Sequence, residues 1–254
     1  MSDFEALHRD YKYLPEDAET AVLFVHGICG SPRVFGELMT FAAAAGCAVS
    51  APLLPGHGSS SQEFAVFGRN DWQRRAAREA GALRDRYKRL VLVGHSMGGL
   101  LTLPQAAQNG ADGLLLINTP MMIHITRSQL SMAASTFLKL GGDAETDEKK
   151  NAYDSTFAVR LDNPVTALMW MPQIRDLFML MLDARGLLGG IDCKTVVAQS
   201  KNDETVDPKS ADALCAGIHN SSALWLGGSL HAWFSALDMN ALKTALSELI
   251  KDRL

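Results

Sequence analysis

Arg89 to Leu101 reads R-L-V-L-V-G-H-S-M-G-G-L-L, and this one stretch sets the architecture expected of the chain. The apolar run Leu90 to Val93 closes on Gly94 and breaks at once into G-H-S-M-G, Gly94 to Gly98, after which apolar residues recur at helical rather than alternating spacing. The pattern is that of a strand, a very tight turn and a helix. Small residues two before and two after the serine let the two backbones approach closely, and such a turn strains Ser96 and exposes its Oγ. The helix that follows aims free N–H groups and the positive end of its dipole at the place where an oxyanion would form. Ser96 is therefore the candidate nucleophile.

Outward from this turn the chain keeps alternating strands with helices. Ala21 to Val25 is a continuous apolar run, the mark of a strand buried on both faces, and it ends directly in His26, Gly27, Ile28, Cys29, Gly30 and Ser31. Pro32 opens a helix to about Ala45, with Ser31 as its expected N-cap and Gly46 as its stop. Cys47 to Ala51 is a short strand, followed by the turn-rich loop Pro52 to Ser61. Asn70 to Tyr87 has helical spacing, with Trp72, Ala76, Ala80 and Leu83 on one face. After the serine turn come a helix from Met97 to Asn109, a strand from Gly113 to Asn118 and, much later, a strand from Lys194 to Ser200. A helix from Pro208 to Gly217, a strand around Ala223 to Leu226 and a last helix from Ala232 to Lys251 complete the pattern. Such alternation predicts an α/β fold, a mostly parallel, doubly wound sheet with right-handed crossovers.

The alternation stops between Met121 and Ile191, so a helical cap over 121–191 is expected, inserted between sheet strands of a single domain spanning 1–254. Seven of the eleven methionines lie there, at 121, 122, 132, 169, 171, 179 and 181. Ser128 to Leu140 and Pro164 to Leu182 have helical spacing, the second with a kink expected at Pro172. Apolar residues of such a segment form its own core and its seat on the sheet. Unbranched, polarisable methionines also suit the roof of a pocket for varied apolar ligands.

At 254 residues and 47% hydrophobic side chains the chain can bury a substantial core. A formal charge of −4, without a dense Lys/Arg run, disfavours nucleic acid and anionic membrane surfaces as partners. No apolar run reaches about 18 residues, so no integral membrane segment is expected. Cys29, Cys47, Cys193 and Cys215 stand singly, which suggests neither a zinc site nor a disulfide framework. With no secretory leader at Met1 to Tyr13, the expected compartment is the cytoplasm.

The chain resembles the α/β-hydrolase superfamily, and within it the carboxylesterase and monoacylglycerol-lipase-like group, over Ala21 to Leu249. The marks are H-G at His26 and Gly27, P-G-H-G at Pro55 to Gly58, G-H-S-M-G at Gly94 to Gly98, K-N-D-E-T-V-D-P at Lys201 to Pro208, and G-S-L-H at Gly228 to His231. The resemblance implies Ser96 as nucleophile, Asp203 as the acid and His231 as general base, in the superfamily's chain order. Glu204 and Asp207 compete with Asp203 for the acid, Asp207 being equally well explained as a helix cap. The oxyanion hole is implied at the backbone amides of Met97 and Ile28, although H-G-I-C-G replaces the H-G-G-G of many lipases. His26 is expected to orient that loop through a hydrogen bond, His57 to be structural within its turn, and His95 to pack or hydrogen-bond inside the elbow. Candidate substrate-contacting residues are Gly27 and Cys29 on the first loop, Met121, Met122, Trp170, Met171 and Met179 of the insertion, and Val206 after the acid. The implied activity is hydrolysis of small apolar esters with short to medium acyl chains, or of monoacylglycerol-like substrates, through an acyl-enzyme. No metal and no organic cofactor is implied. An acyl-thioesterase or amidase would use the same triad, and a non-catalytic small-molecule receptor is the reading from another class.

Overall fold

The computed structural model of the chain describes residues 3–123, 155–160 and 169–251. Helix α1 (Asp3–Leu7) leads into β1 (Tyr11–Tyr13) and β2 (Thr20–Val25); α2 (Gly36–Ala44), β3 (Ala48–Ala51), β4 (Ser59–Ser60), α3 (Ser61–Phe64) and α4 (Arg69–Arg86) follow. Next come β5 (Arg89–His95), α5 (Met97–Asn109), β6 (Gly113–Ile117), β7 (Val159–Arg160) and α6 (Met171–Arg185). The chain continues through β8 (Thr195–Ser200), α7 (Lys209–Gly217), β9 (Ser221–Leu226) and α8 (Ala236–Lys251). Seven strands form one sheet in the order β1-β3-β2-β5-β6-β8-β9, parallel throughout except for β1, which runs antiparallel to β3 at the edge.

The unbroken apolar runs of the central strands follow from burial on both faces. Leu23, Leu92, Leu114 and Leu116 point to the side covered by α4, α5, α6 and α7, where they meet Trp72, Leu101, Leu180 and Leu214. Val22, Phe24, Val91, Val93 and Ile117 point to the other side, where α2 and α8 supply Leu38, Met39, Leu242 and Leu246. In register, Val25 lies beside Gly94 and His95 beside Ile117, so β2, β5 and β6 end together. This alignment places His26, Ser96 and Asn118 along one C-terminal edge, the edge where open α/β sheets hold their ligands.

Three expectations change. Ser31 does not cap a helix: its Oγ donates to Thr156 O at 3.3 Å, and the chain enters α2 through a 3-10 turn at Pro32–Phe35. Pro172 sits in the first turn of α6, where its missing N–H has no helical acceptor to lose, so it opens the helix rather than bending it. The last helix begins at Ala236 rather than Ala232, because Ser235 Oγ accepts from Asp238 N–H as an N-cap, at 3.2 Å. The expected helix over 128–140, Met132 and residues 164–168 lie outside the described residues. No helix among the described residues is long and apolar enough to cross a membrane.

Helix α6 is seated firmly on the body. Leu177, Leu180, Met181 and Ala184 belong to the main core, Gln173 Nε2 donates to Ala65 O and Phe67 O at 3.0 and 2.8 Å, and Asp176 Oδ2 accepts from Arg69 N–H at 2.9 Å. The pairing of β4 with β7 adds a second tie, between the P-G-H-G loop and the insertion.

Candidate active site

Three side chains from three separate loops meet at the C-terminal edge of the sheet. Ser96 occupies the turn between β5 and α5 at φ 53° and ψ −126°, a conformation sparsely populated by residues with a Cβ. The close approach behind it requires Gly98, where a Cβ would lie 1.8 Å from Val25 O. Ser96 N–H donates to Ile117 O, and Gly99 N–H donates to Ser96 O, each at 2.9 Å, so the strained turn is held from both sides. The residue is only 6% exposed, less open than its turn alone suggests.

His231 stands on the loop between β9 and α8, with Nε2 3.0 Å from Ser96 Oγ. Its Nδ1 lies 2.9 and 3.1 Å from the two oxygens of Asp203. A carboxylate can only accept, so Nδ1 carries the proton and Nε2 presents a lone pair to the serine hydroxyl. Asp203 Oδ1 also accepts from the amides of Thr205 and Val206, each at 2.8 Å, and Oδ2 accepts from Gln199 Nε2 at 3.3 Å. Burial alone would raise the Asp203 pKa, but His231 and these donors outweigh it and hold the carboxyl below its ordinary range. Burial likewise works against the imidazolium of His231, yet the charge and hydrogen bond of Asp203, helped by Glu204, raise its pKa above 6.5.

The neighbouring acids have other partners. Glu204 Oε2 accepts from the backbone N–H of His231 at 3.0 Å. Asp207 Oδ1 accepts from Lys209 N–H at 2.9 Å at the start of α7.

The loop after β2 turns at Gly27 to Gly30, with Gly30 N–H donating to Gly27 O at 3.1 Å and Cys29 at φ 55°. Two buried histidines hold it. His26 Nε2 accepts from Leu54 N–H at 3.0 Å, which leaves Nδ1 to donate to Gly27 O at 2.8 Å. His57 reaches beyond its own turn, its Nε2 accepting from Cys29 N–H at 3.1 Å. Burial depresses the pKa of His26 well below 6.5 and that of His57 to about 4, so both rings are neutral at neutral pH. Burial also pushes the Cys29 thiol up, which makes it a poor nucleophile. Gly27 faces the serine directly, its missing Cβ 2.8 Å from Ser96 Cβ.

The remaining residues singled out from the sequence have the following partners and exposure. Met121 and Met122 donate their amides to Ser210 Oγ at 3.1 and 3.0 Å, and Ile123 bridges Val206, which ties the start of the insertion to the acid loop. Met121 is buried and Met122 half-buried. Trp170 is buried, its Nε1 donating to Ser61 O at 3.3 Å and its ring 5.3 Å edge-on from Phe64. Met179 is half-buried, whereas Met169 and Met171 are exposed at the start of α6. Among the described residues no cluster of three or more His, Cys, Asp or Glu side chains is arranged to hold a metal ion.

Sequence reading did not single out Asn118. It follows β6 at φ 47°, is fully buried, and its amide reaches the His231 loop. The one local signal is a polar residue placed where the apolar strand L-L-L-I ends.

The sequence pattern of the alpha/beta hydrolase family matches residues 22–238, and the chain belongs to that family. A thermostable monoacylglycerol lipase of Bacillus sp. (strain H-257) is 28% identical over 215 residues, 82% of this chain and 80% of the relative. Among solved structures, one described for the metagenome-derived lipolytic enzymes LipS and LipT aligns at a TM-score of 0.76 and 25% identity, over 96% of this chain and 98% of that one. A soluble variant of the monoglyceride lipase of Saccharomyces cerevisiae, in complex with a substrate analogue, shares the fold at a TM-score of 0.69 and 16% identity, over 95% and 90% of the two chains.

Proposed function

We propose that the protein is a serine hydrolase of carboxylic esters, with Ser96 as nucleophile, His231 as general base and acid, and Asp203 as the group that orients and stabilises the imidazole. The observation that carries this reading is the chain of contacts Asp203–His231–Ser96, 2.9 and 3.0 Å long, ending on a serine held at φ 53°. A serine hydroxyl is a weak nucleophile near neutral pH, so it needs a base within hydrogen-bond reach and a carboxylate behind that base.

Ser96 Oγ attacks the ester carbonyl carbon as its proton passes to His231 Nε2, and the carbonyl oxygen becomes an oxyanion. The amides of Met97 and Ile28 receive it. Support comes from the position of Met97 at the N-terminus of α5, and from the commitment of the next two loop amides, Cys29 to His57 and Gly30 to Gly27 O. The tetrahedral intermediate collapses, the C–O bond to the alcohol breaks, and the alcohol leaves with the proton from His231. Water then attacks the acyl-enzyme, giving its proton to His231, and Ser96 recovers it as the carboxylic acid departs.

The Bacillus relative is a monoacylglycerol lipase, and the substrates proposed here are monoacylglycerol-like or other small apolar esters with short to medium acyl chains. Residues 121–191 act as a cap over the site, with α6 as its anchored part. All four cysteines are free thiols, in keeping with a reducing cytoplasm. Incubation with an alkyl phosphonate ester followed by peptide mass spectrometry tests the reading. The adduct is expected on Ser96, and Ser96→Ala and His231→Ala should each lower kcat by roughly 10⁴- to 10⁶-fold, the double variant hardly more than either. A label on another serine, or losses that simply multiply, would refute the shared mechanism.

A further inference from the structure

His231 is held by more than its side chain. Its backbone N–H donates to Glu204 Oε2 at 3.0 Å, and its carbonyl oxygen accepts from Asn118 Nδ2 and His95 Nε2, both at 2.8 Å. We propose that Glu204, Asn118 and His95 form a clamp on the main chain of residue 231, and that this clamp sets where its imidazole stands against Ser96. The inference rests on the triad reading above and assigns these three as positioning residues.

The loop needs such a device. His231 lies on a segment between Leu226 and Ala236 that belongs to no strand or helix, and a base that drifts loses its geometry with the nucleophile. Asp203 fixes the ring only about its own hydrogen bond. The backbone of residue 231 is fixed at its N–H by the acid loop and at its C=O by the ends of β5 and β6, so three separate segments hold the two peptide units that flank one residue.

Asn118 is built for this task. Its Nδ2 also lies 3.1 Å from Ser200 Oγ and 3.2 Å from Leu230 O, while its Oδ1 accepts from Ser200 N–H at 2.8 Å. Ser200 Oγ in turn donates to Leu230 O at 2.9 Å. The carbonyls on one side and the N–H on the other define the amide orientation. The residue also adopts φ 47°, with its own N–H donating to Ala198 O at 2.9 Å while the side chain turns toward the loop. Asparagine tolerates that backbone and carries both a donor and an acceptor; aspartate lacks the donor and glycine lacks both. His95 contributes the third contact as a neutral donor, since burial first and the nearby His231 second depress its pKa to about 3.

The test uses the full chain. Asn118→Gly keeps the left-handed backbone without steric cost and removes the amide. With a p-nitrophenyl ester its kcat should fall by roughly 10- to 100-fold while KM changes little, the size expected for a displaced catalytic group. The rate of phosphonate labelling at Ser96 should fall in parallel. Glu204→Ala should act in the same direction, and Glu204→Gln, whose amide oxygen can still accept from His231 N–H, should restore most of the rate. If Asn118→Gly does not fold, the two Glu204 variants decide. Wild-type kcat in the Glu204→Ala and folded Asn118→Gly variants, or a Glu204→Ala loss that glutamine does not rescue, would overturn the clamp. Failure of the triad reading is distinct, because the wild-type chain would then take no label on Ser96.

Discussion

Gly27→Ala probes how closely the first loop is fitted to the serine. A Cβ at residue 27 would lie 2.8 Å from Ser96 Cβ and 3.3 Å from both Ser96 Oγ and His95 O. Carbon atoms in contact rest at about 3.5–4.0 Å, so the new methyl group is short of room by roughly 1 Å against Ser96. Ser96 cannot simply retreat, because hydrogen bonds to Ile117 O and from Gly99 N–H pin its backbone. Overpacking of this kind costs about 1–3 kcal/mol. At about 2–4 °C per kcal/mol for a chain of this size, Tm should fall by roughly 2–12 °C. The effect on rate should be larger. Part of the displacement falls on Oγ, now 3.0 Å from His231 Nε2, and a misplacement of about 1 Å costs on the order of 10²-fold. The assay is kcat and KM with p-nitrophenyl butyrate beside a thermal melt followed by circular dichroism. Gly81→Ala is the control, since nothing lies within 4 Å of its Cβ position inside α4; it should leave kcat unchanged and raise stability by up to about 1 kcal/mol. A Gly27→Ala protein with wild-type kcat and unchanged Tm would refute the fit described here.

Because Asp203 and Glu204 outweigh burial at His231, kcat/KM should rise with pH through an apparent pKa above 6.5, and Glu204→Gln should slide that limb to lower pH; a wild-type limb centred below 6.5 would contradict the electrostatics. His8, His26, His57 and His95 are buried with depressed pKa values, so the stability they contribute is complete above the unfolded value of about 6.5 and erodes as pH falls toward 4. His231 works in the opposite sense, one group against four, and Tm should therefore drop between about pH 7 and pH 5; a flat Tm over that range would refute the assignment. If the half-buried Met122 and Met179 face the acyl chain, each added methylene should improve kcat/KM by up to nearly fourfold, about 0.8 kcal/mol, until the pocket fills. Measured from acetate to palmitate, a flat profile would show that these methionines only fill space, and a rise continuing to palmitate with activation at an oil interface would place the protein among true lipases.

The elements legible in the sequence are those whose causes are local. A strand buried on both faces writes itself as an unbroken apolar run, and β2, β5, β6 and β8 were readable in that way. The serine turn is equally local, since the close approach of β5 and α5 demands small residues at fixed offsets, and these mark Ser96 as the nucleophile candidate in the sequence itself. Tertiary structure decided what stands around it. Asp203, Glu204 and Asp207 fall within one short loop and differ little as residues; only the path of that loop turns the first toward the imidazole ring, the second toward the backbone of His231 and the third back onto α7. The contacts of Ser96 with His231, Asn118 with His231 and Cys29 with His57 join residues 135, 113 and 28 positions apart. Periodicity and composition report on neighbours within a few residues, whereas these contacts exist because a parallel sheet brings the ends of its strands to a common edge.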